Sequence, residues 1–211
     1  TKSPDVARIV ALRPDVVLMN EEENRKEDAE ALAAAGVPVH ASFPRDLPET
    51  AAMVGEIGRL LSSEDAGRRI AADILARAER VRAAAAGEHP LTFSYLVWRE
   101  PWMSVNRATF AHALLTLAGG QNVFAERTER YPEIDLAELS VRAPALVLLC
   151  TEPYPFRGKH VEELALRTSL PRQRIHIADG EYLSWHGSRT PDGIDYAERL
   201  IAGARRASRP A

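Results

Sequence analysis

The chain has 211 residues, 45% of them hydrophobic, with 27 Lys and Arg against 30 Asp and Glu for a formal net charge of -3. That length supplies one large core or two small ones. The charge balance, with no basic tract interleaved with aromatics, gives no reason to expect nucleic acid, and no apolar run approaches the roughly 20 residues that a membrane span needs.

Pro4-Asp5 opens a short helix, followed by an apolar strand from Val16 to Met19 and an acidic loop, Asn20-Glu21-Glu22-Glu23-Asn24. A helix and a second apolar strand, Val37 to Ala41, come next. The pattern returns further along. Pro14, Val16, Val17, Leu18 and Glu22 have counterparts in Pro144, Leu146, Val147, Leu148 and Glu152, with Pro132-Glu133 before the second copy and Arg174 to Ala178 after it. Internal repetition of this kind predicts two similar lobes, each with a buried parallel strand ending in a loop. Ligands of open α/β sheets sit beyond the carboxyl ends of the strands, so Glu22, Glu23 and Asn24 are candidate cleft residues.

Between the copies, Ser62 to Gly87 contains no proline. It opens with Ser62, Glu64 and Asp65 as cap and dipole partners, and closes on a glycine. It reads as one helix spanning about 37 Å, with Ile70, Ile74, Ala78 and Val81 as its apolar stripe and arginines opposite. The expected fold is therefore α/β: two Rossmann-like lobes with small parallel sheets joined by one long bridging helix. The expected division is 1–61 for the first lobe, 62–88 for the helix and 89–211 for the second lobe.

Beyond the helix, Leu91 to Val97 reads as a strand running into Trp98-Arg99-Glu100-Pro101-Trp102-Met103, so two of the three tryptophans gather at one strand end. Tyr154 and Phe156 follow the next strand. Tyr182, Trp185 and Arg189 lie in the stretch from Asp179 to Thr190, again after a strand and before a helix opened by Thr190-Pro191-Asp192. Aromatics on loops at one edge of a sheet suit a bulky, partly apolar ligand, and Arg99 and Arg189 are placed to answer its anionic groups. Trp98, Trp102, Tyr154 and Trp185 are expected on one side, facing Glu22 to Asn24. The only cysteine, Cys150, ends an apolar strand and reads as core, with no intrachain disulfide to form. The six histidines have no close metal-ligand spacing, so no protein-only metal site and no resident cofactor is expected.

At Thr1-Lys2-Ser3-Pro4-Asp5 leading into Ile9 to Leu18, at Glu21 to Asn24, Tyr95 to Met103, Gly119 to Phe124 and Glu152 to Phe156, the sequence resembles a known family. These are the helical-backbone, class III substrate-binding proteins of ABC importers for cobalamin, haem and iron-siderophores, and the likeness is to the cobalamin-binding-like branch. The resemblance implies a non-enzymatic receptor that holds a metal-chelate ligand such as cobalamin or haem in the cleft, largely through aromatics, and moves little on binding. It adds Tyr95 to the cleft candidates. It also implies an ABC permease partner, docked through one surface carboxylate per lobe, for which Glu49 and Glu138 are the candidates because their positions roughly correspond. The implied compartment is extracytoplasmic. No signal peptide is visible within these residues, which leaves the cytoplasm open, and family members carry a further strand and helix upstream, so the first lobe is expected to be incomplete. Two other readings stand beside this one: a sensory or regulatory domain of the same fold without transport, and a hydrolase built on Asp179, Ser184 and His186. The hydrolase lacks a Gly-x-Ser-x-Gly elbow.

Overall fold

A computed structural model describes residues 3–208; Thr1 and Lys2, the start of the first resembling motif, lie outside the described residues. The first lobe runs α1 (Val6–Ala11), β1 (Val17–Asn20), α2 (Lys26–Ala34) and β2 (Val39–Ser42). Two helices follow, α3 (Leu47–Leu60) and α4 (Glu64–Ala85). The second lobe contains β3 (Leu91–Leu96), α5 (Phe110–Leu117), β4 (Gly120–Asn122), α6 (Leu136–Arg142), β5 (Leu146–Cys150), α7 (Gly158–Thr168), β6 (Ile175–Ala178), α8 (Gly180–Ser184) and α9 (Thr190–Ser208). All strand pairs are parallel. β1 lies beside β2, with Val17 opposite Val39, and the second sheet has the order β4-β3-β5-β6, with Phe93 opposite Leu146 and Val147 opposite Ile175. The fold is thus α/β with two small parallel sheets and a long helix between them in sequence.

The repeat is present in the helices and strands. Asp5 caps α1 by accepting from Arg8 N at 3.0 Å, and Asp135 caps α6 by accepting from Ala137 N at 2.9 Å, so the second helix opens at Asp135 rather than at Pro132-Glu133. Burial differs between the copies. All five residues of β5 are buried, with Leu148 and Cys150 in one core and Val147 and Leu149 in the other, as a strand covered on both faces must be. In β1 only Met19 is buried, while Leu18 is 45% exposed. The expectation of two buried strands is therefore corrected. Among the described residues β1 has a neighbour on one edge only, and its small core is Met19, Leu32 and Val37 with α1 residues packed against them.

α4 occupies most of the stretch expected to be helical. Ser62 adopts a left-handed φ of 51° and Gly87 a φ of 83°, and these fix its ends. Its 22 residues extend about 33 Å. The stripe of Ile74, Ala78 and Val81 is buried in the core that also holds Tyr95, Leu148 and Ile201, and Leu47, Met53 and Val54 of α3 join the same core. On its other flank Arg77 and Arg80 bind Asp195 and Glu198 of α9, with Arg80 gripping Glu198 at 2.9 and 3.0 Å. α3 crosses α4 where two glycines meet. A Cβ on Gly58 would stand 2.9 Å from Gly67 Cα and 3.2 Å from Ser63 O, both backbone atoms that cannot swing aside.

Gly58→Ala should therefore destabilise the chain by about 1–3 kcal/mol in chemical denaturation, because the helices must separate. Gly55→Ala in the same helix, where a Cβ meets nothing within 4 Å, should be neutral or stabilising by up to about 1 kcal/mol. Equal effects at the two sites would show that the crossing is not tight.

Candidate functional site

The carboxyl ends of β3, β5 and β6 place their loops along one rim of the second sheet. The β3 and β5 loops each contain a cis proline, Glu100-Pro101 and Glu152-Pro153. Trp98, 40% exposed, meets the edge of Tyr154 at 5.6 Å, and Tyr154 is half-buried against the second core cluster. Trp102 and Phe156 lie beneath them, stacked at 5.7 Å in the second core cluster with 6% and 2% exposure. Tyr95 has no exposure at all; its hydroxyl lies 3.4 Å from Ser184 Oγ. The ligand contact expected of Tyr95, Trp102 and Phe156 is corrected accordingly. Trp102 and Phe156 are the buried backing of the rim, covered from both sides between the β3 and β5 loops, and Tyr95 lies within β3 with its ring in the other core. Burial likewise pushes the Cys150 thiol up to about 12, with Sγ against the Glu152 carbonyl.

The arginines are already engaged. Glu163 holds Arg99 through two bonds of 2.9 and 3.1 Å, which lowers the carboxyl's affinity for protons and raises that of the guanidinium, and Glu100 adds a third contact. Arg189 pairs with Glu181 and lies 5.5 Å over the ring of Trp185, which is 48% exposed, and 5.9 Å over that of Tyr182. Tyr182 also packs on Tyr196 at 5.2 Å. The expected aromatics therefore form two groups, Trp98 with Tyr154 and Trp185 with Tyr182, and no ring contact joins them among the described residues.

The first lobe meets this rim through the β1–α2 loop. Glu22 accepts from the Tyr131 hydroxyl and stands 3.6 Å from Arg130, whose guanidinium lies 4.1 Å over Phe43 at the end of β2. Asn20 Nδ2 lies 2.9 Å from His186 Nε2. Glu23 and Asn24 line a largely apolar groove of about 600 Å³ that also takes in Asn20 and His186 and extends to Met53, Ile57 and Ile70. Phe43, Arg130 and Tyr131 carried no signal in the sequence. Arg130 and Tyr131 belong to an irregular segment tied to the β3 loop by backbone bonds, among them those of Ser104 N and Asn106 N to the carbonyls of Pro132 and Arg130. Glu49 and Glu138 each occupy the third position of a helix capped by aspartate. Arg45 holds Glu49, and Arg127 and Arg142 hold Glu138. No group of three or more His, Cys, Asp or Glu among the described residues is arranged to hold a metal ion, and none of their helices is long and apolar enough to cross a membrane.

Comparisons with known proteins agree with this geometry. Residues 1–168 match the family described as periplasmic binding protein. A vitamin B12-binding protein of Vibrio campbellii is 24% identical over 187 residues, covering 89% of this chain and 68% of the relative. Among solved structures, the periplasmic vitamin B12 binding protein BtuF of Vibrio cholerae superposes with a TM-score of 0.81 at 17% identity, covering 97% of this chain and 80% of that one. The periplasmic heme-binding protein BhuT, in complex with two hemes, gives 0.82 at 21% identity, covering 96% and 80%. These relatives are named as binding proteins, not as enzymes.

Exposure sets the solution behaviour of the rim. Iodide should quench Trp98 and Trp185 fluorescence but not that of Trp102, so the Trp98→Phe, Trp185→Phe double variant should be nearly insensitive to quencher. Because burial keeps its thiol protonated, Cys150 should resist a thiol reagent at pH about 8 in the native chain and react on unfolding. Rapid native labelling would contradict its placement.

Proposed function

The chain belongs to the periplasmic binding protein family, and from that premise we propose that it is the ligand-binding component of an ABC importer for a metal-chelate ligand of the cobalamin, haem or iron-siderophore class. What supports this reading is two aromatic groups that follow strand ends of one lobe, exposed Trp98 with half-buried Tyr154 and exposed Trp185 with half-buried Tyr182, in a lobe that the Glu22-Glu23-Asn24 loop of the other meets through Tyr131. Flat aromatic faces suit a macrocycle by dispersion and stacking, and polar groups across the cleft suit its peripheral substituents. What the B12- and heme-binding relatives are named for agrees with that chemistry. Arg99 and Arg189 stay in the proposed site as donors that would have to share or exchange their carboxylate partners. The proposed division of the chain is a first lobe at 1–61, a bridging helix at 62–88 and a second lobe at 89–211, with α3 at the end of the first reaching across to pack in the core of the second. The protein would act outside the cytoplasm and deliver its ligand to a permease through Glu49 and Glu138.

A specific observation favours the sensory alternative: both docking carboxylates are already paired with arginines of their own surroundings, so each must give up an ion pair to meet a permease. The exposed Arg45–Glu49 pair is worth only about 0–1 kcal/mol, whereas Glu138 is half-buried between Arg127 and Arg142 and has more to give up.

Loss of one stacking aromatic costs about 1–3 kcal/mol in systems where it has been isolated. Replacing Trp98 and Trp185 together by alanine should weaken cyanocobalamin or haemin binding at least about tenfold by calorimetry or absorption titration. Unchanged affinity for every ligand the parent binds would reject the cleft. Charge reversal of Glu49 and Glu138 to arginine should abolish stimulation of the partner permease and leave ligand affinity intact; transport that survives would favour the sensory reading.

A further inference from the structure

The bond between Asn20 and His186 ties β1 of the first lobe to the loop after α8 in the second, and its chemistry is fixed from the far side. Asn20 Oδ1 accepts the backbone N–H of Glu22 at 2.8 Å, and Asn20 N donates to Asn24 Oδ1 at 2.9 Å. A carboxamide has one accepting oxygen and one donating nitrogen. With the oxygen committed to a backbone donor, the group facing His186 at 2.9 Å is the NH2. His186 Nε2 must therefore offer a lone pair, which requires a neutral imidazole with its proton on Nδ1. An imidazolium donates from both nitrogens and would set N–H against N–H. Turning the amide over would strand the Glu22 N–H, and the Phe110 ring stands edge-on to the imidazole at 5.9 Å and restricts its rotation.

The charges around the ring are accounted for. Burial is the main influence on His186 and lowers its affinity for protons; the Glu22 carboxylate opposes it but is engaged by Tyr131 and Arg130. Glu23 lines the same groove, and Arg189, three residues on, is paired with Glu181.

We propose that His186 is a positioning residue that joins the two lobes only while neutral, so that acid breaks its tie to the Asn20–Asn24 loop, leaves Glu22 with Tyr131 and Arg130 as that loop's remaining hold on the second lobe, and loosens that end of the cleft. The sign follows from linkage. A histidine whose folded state disfavours the proton contributes stability that is complete above its ordinary value near 6.5 and is lost as pH falls through the depressed folded value. The contact depends on this chain's own residues, whatever ligand the cleft takes.

The test joins a titration to a distance. Spin labels at Glu30→Cys on α2 and Leu166→Cys on α7, both exposed, report lobe separation between pH about 8 and about 5, while nuclear magnetic resonance follows the His186 ring. The parent should show a distance distribution that broadens in acid, with a midpoint matching His186. His186→Gln, whose side-chain oxygen accepts from Asn20 but does not titrate, should abolish the acid response. Asn20→Asp keeps the oxygen that accepts from Glu22 N and turns the other group into an acceptor for imidazolium. It should reverse the sign, raising the His186 midpoint by about one unit or more, tenfold in proton affinity, and tightening the lobes in acid. A parent distance that ignores pH, an acid response that persists in His186→Gln, or an Asn20→Asp variant with an unmoved His186 midpoint would each overturn the proposal. Circular dichroism checks folding, and should Asn20→Asp fail to fold, the glutamine variant decides alone.

Discussion

Helix α4 is held from two sides, and the placement of everything else depends on it. Its apolar stripe is buried in the core of the second lobe, its arginines are bound to the carboxylates of α9, and α3 is pressed against it at the Gly58–Gly67 crossing. A helix with its backbone bonds intact cannot change length, so an element held in this way sets a fixed distance between the structures at its ends. α3 belongs by packing to the same core, which leaves the β1–β2 sheet with α1 and α2 as a small separate body with a core of its own.

That arrangement explains why the rim is divided into a working face and a backing. Parallel strands buried on both faces send their loops out at one end, and the loop after β3 packs against the loop after β5. Of the first aromatics of the two loops, Trp98 emerges at the surface and Tyr154 is half-buried beside it, while Trp102 and Phe156 close the layer below. The backing is not idle. It fixes the orientation of the outer rings, so that the proposed ligand would meet a surface whose conformational entropy has already been lost. The engagement of Arg99 by Glu163 and of Arg189 by Glu181 serves the same end, since a paired guanidinium keeps its plane while its charge is balanced.

Contacts between the lobes are few and polar. Asn20 with His186, Glu22 with Tyr131 and Arg130, and Arg130 over Phe43 all radiate from the carboxyl ends of β1 and β2. Polar contacts of this kind give direction rather than large net stability. They join the two lobes without welding them together, which is what the proposed cleft would require.

Much of this was legible in the residues themselves. The proline-free stretch around α4, the strand of Leu146 to Cys150 and the paired helix caps are local signals, set by backbone chemistry and by the period of apolar side chains, and they survive folding unchanged. The gathering of Trp98, Tyr154 and Trp185 on loops after strands was likewise readable, because strand ends are fixed by the strands. Tertiary structure alone decided which rings face solvent, since Trp98 and Trp102 differ only in which neighbour covers them. It alone decided that β1 stays half-exposed while β5 is buried, because burial depends on how many strands and helices lie alongside. It alone placed Phe43, Arg130 and Tyr131 at the inter-lobe contact, and bound Glu49 and Glu138 to arginines. A pairing between residues distant in the chain has no period or motif to announce it; it follows from where the packed elements happen to bring them.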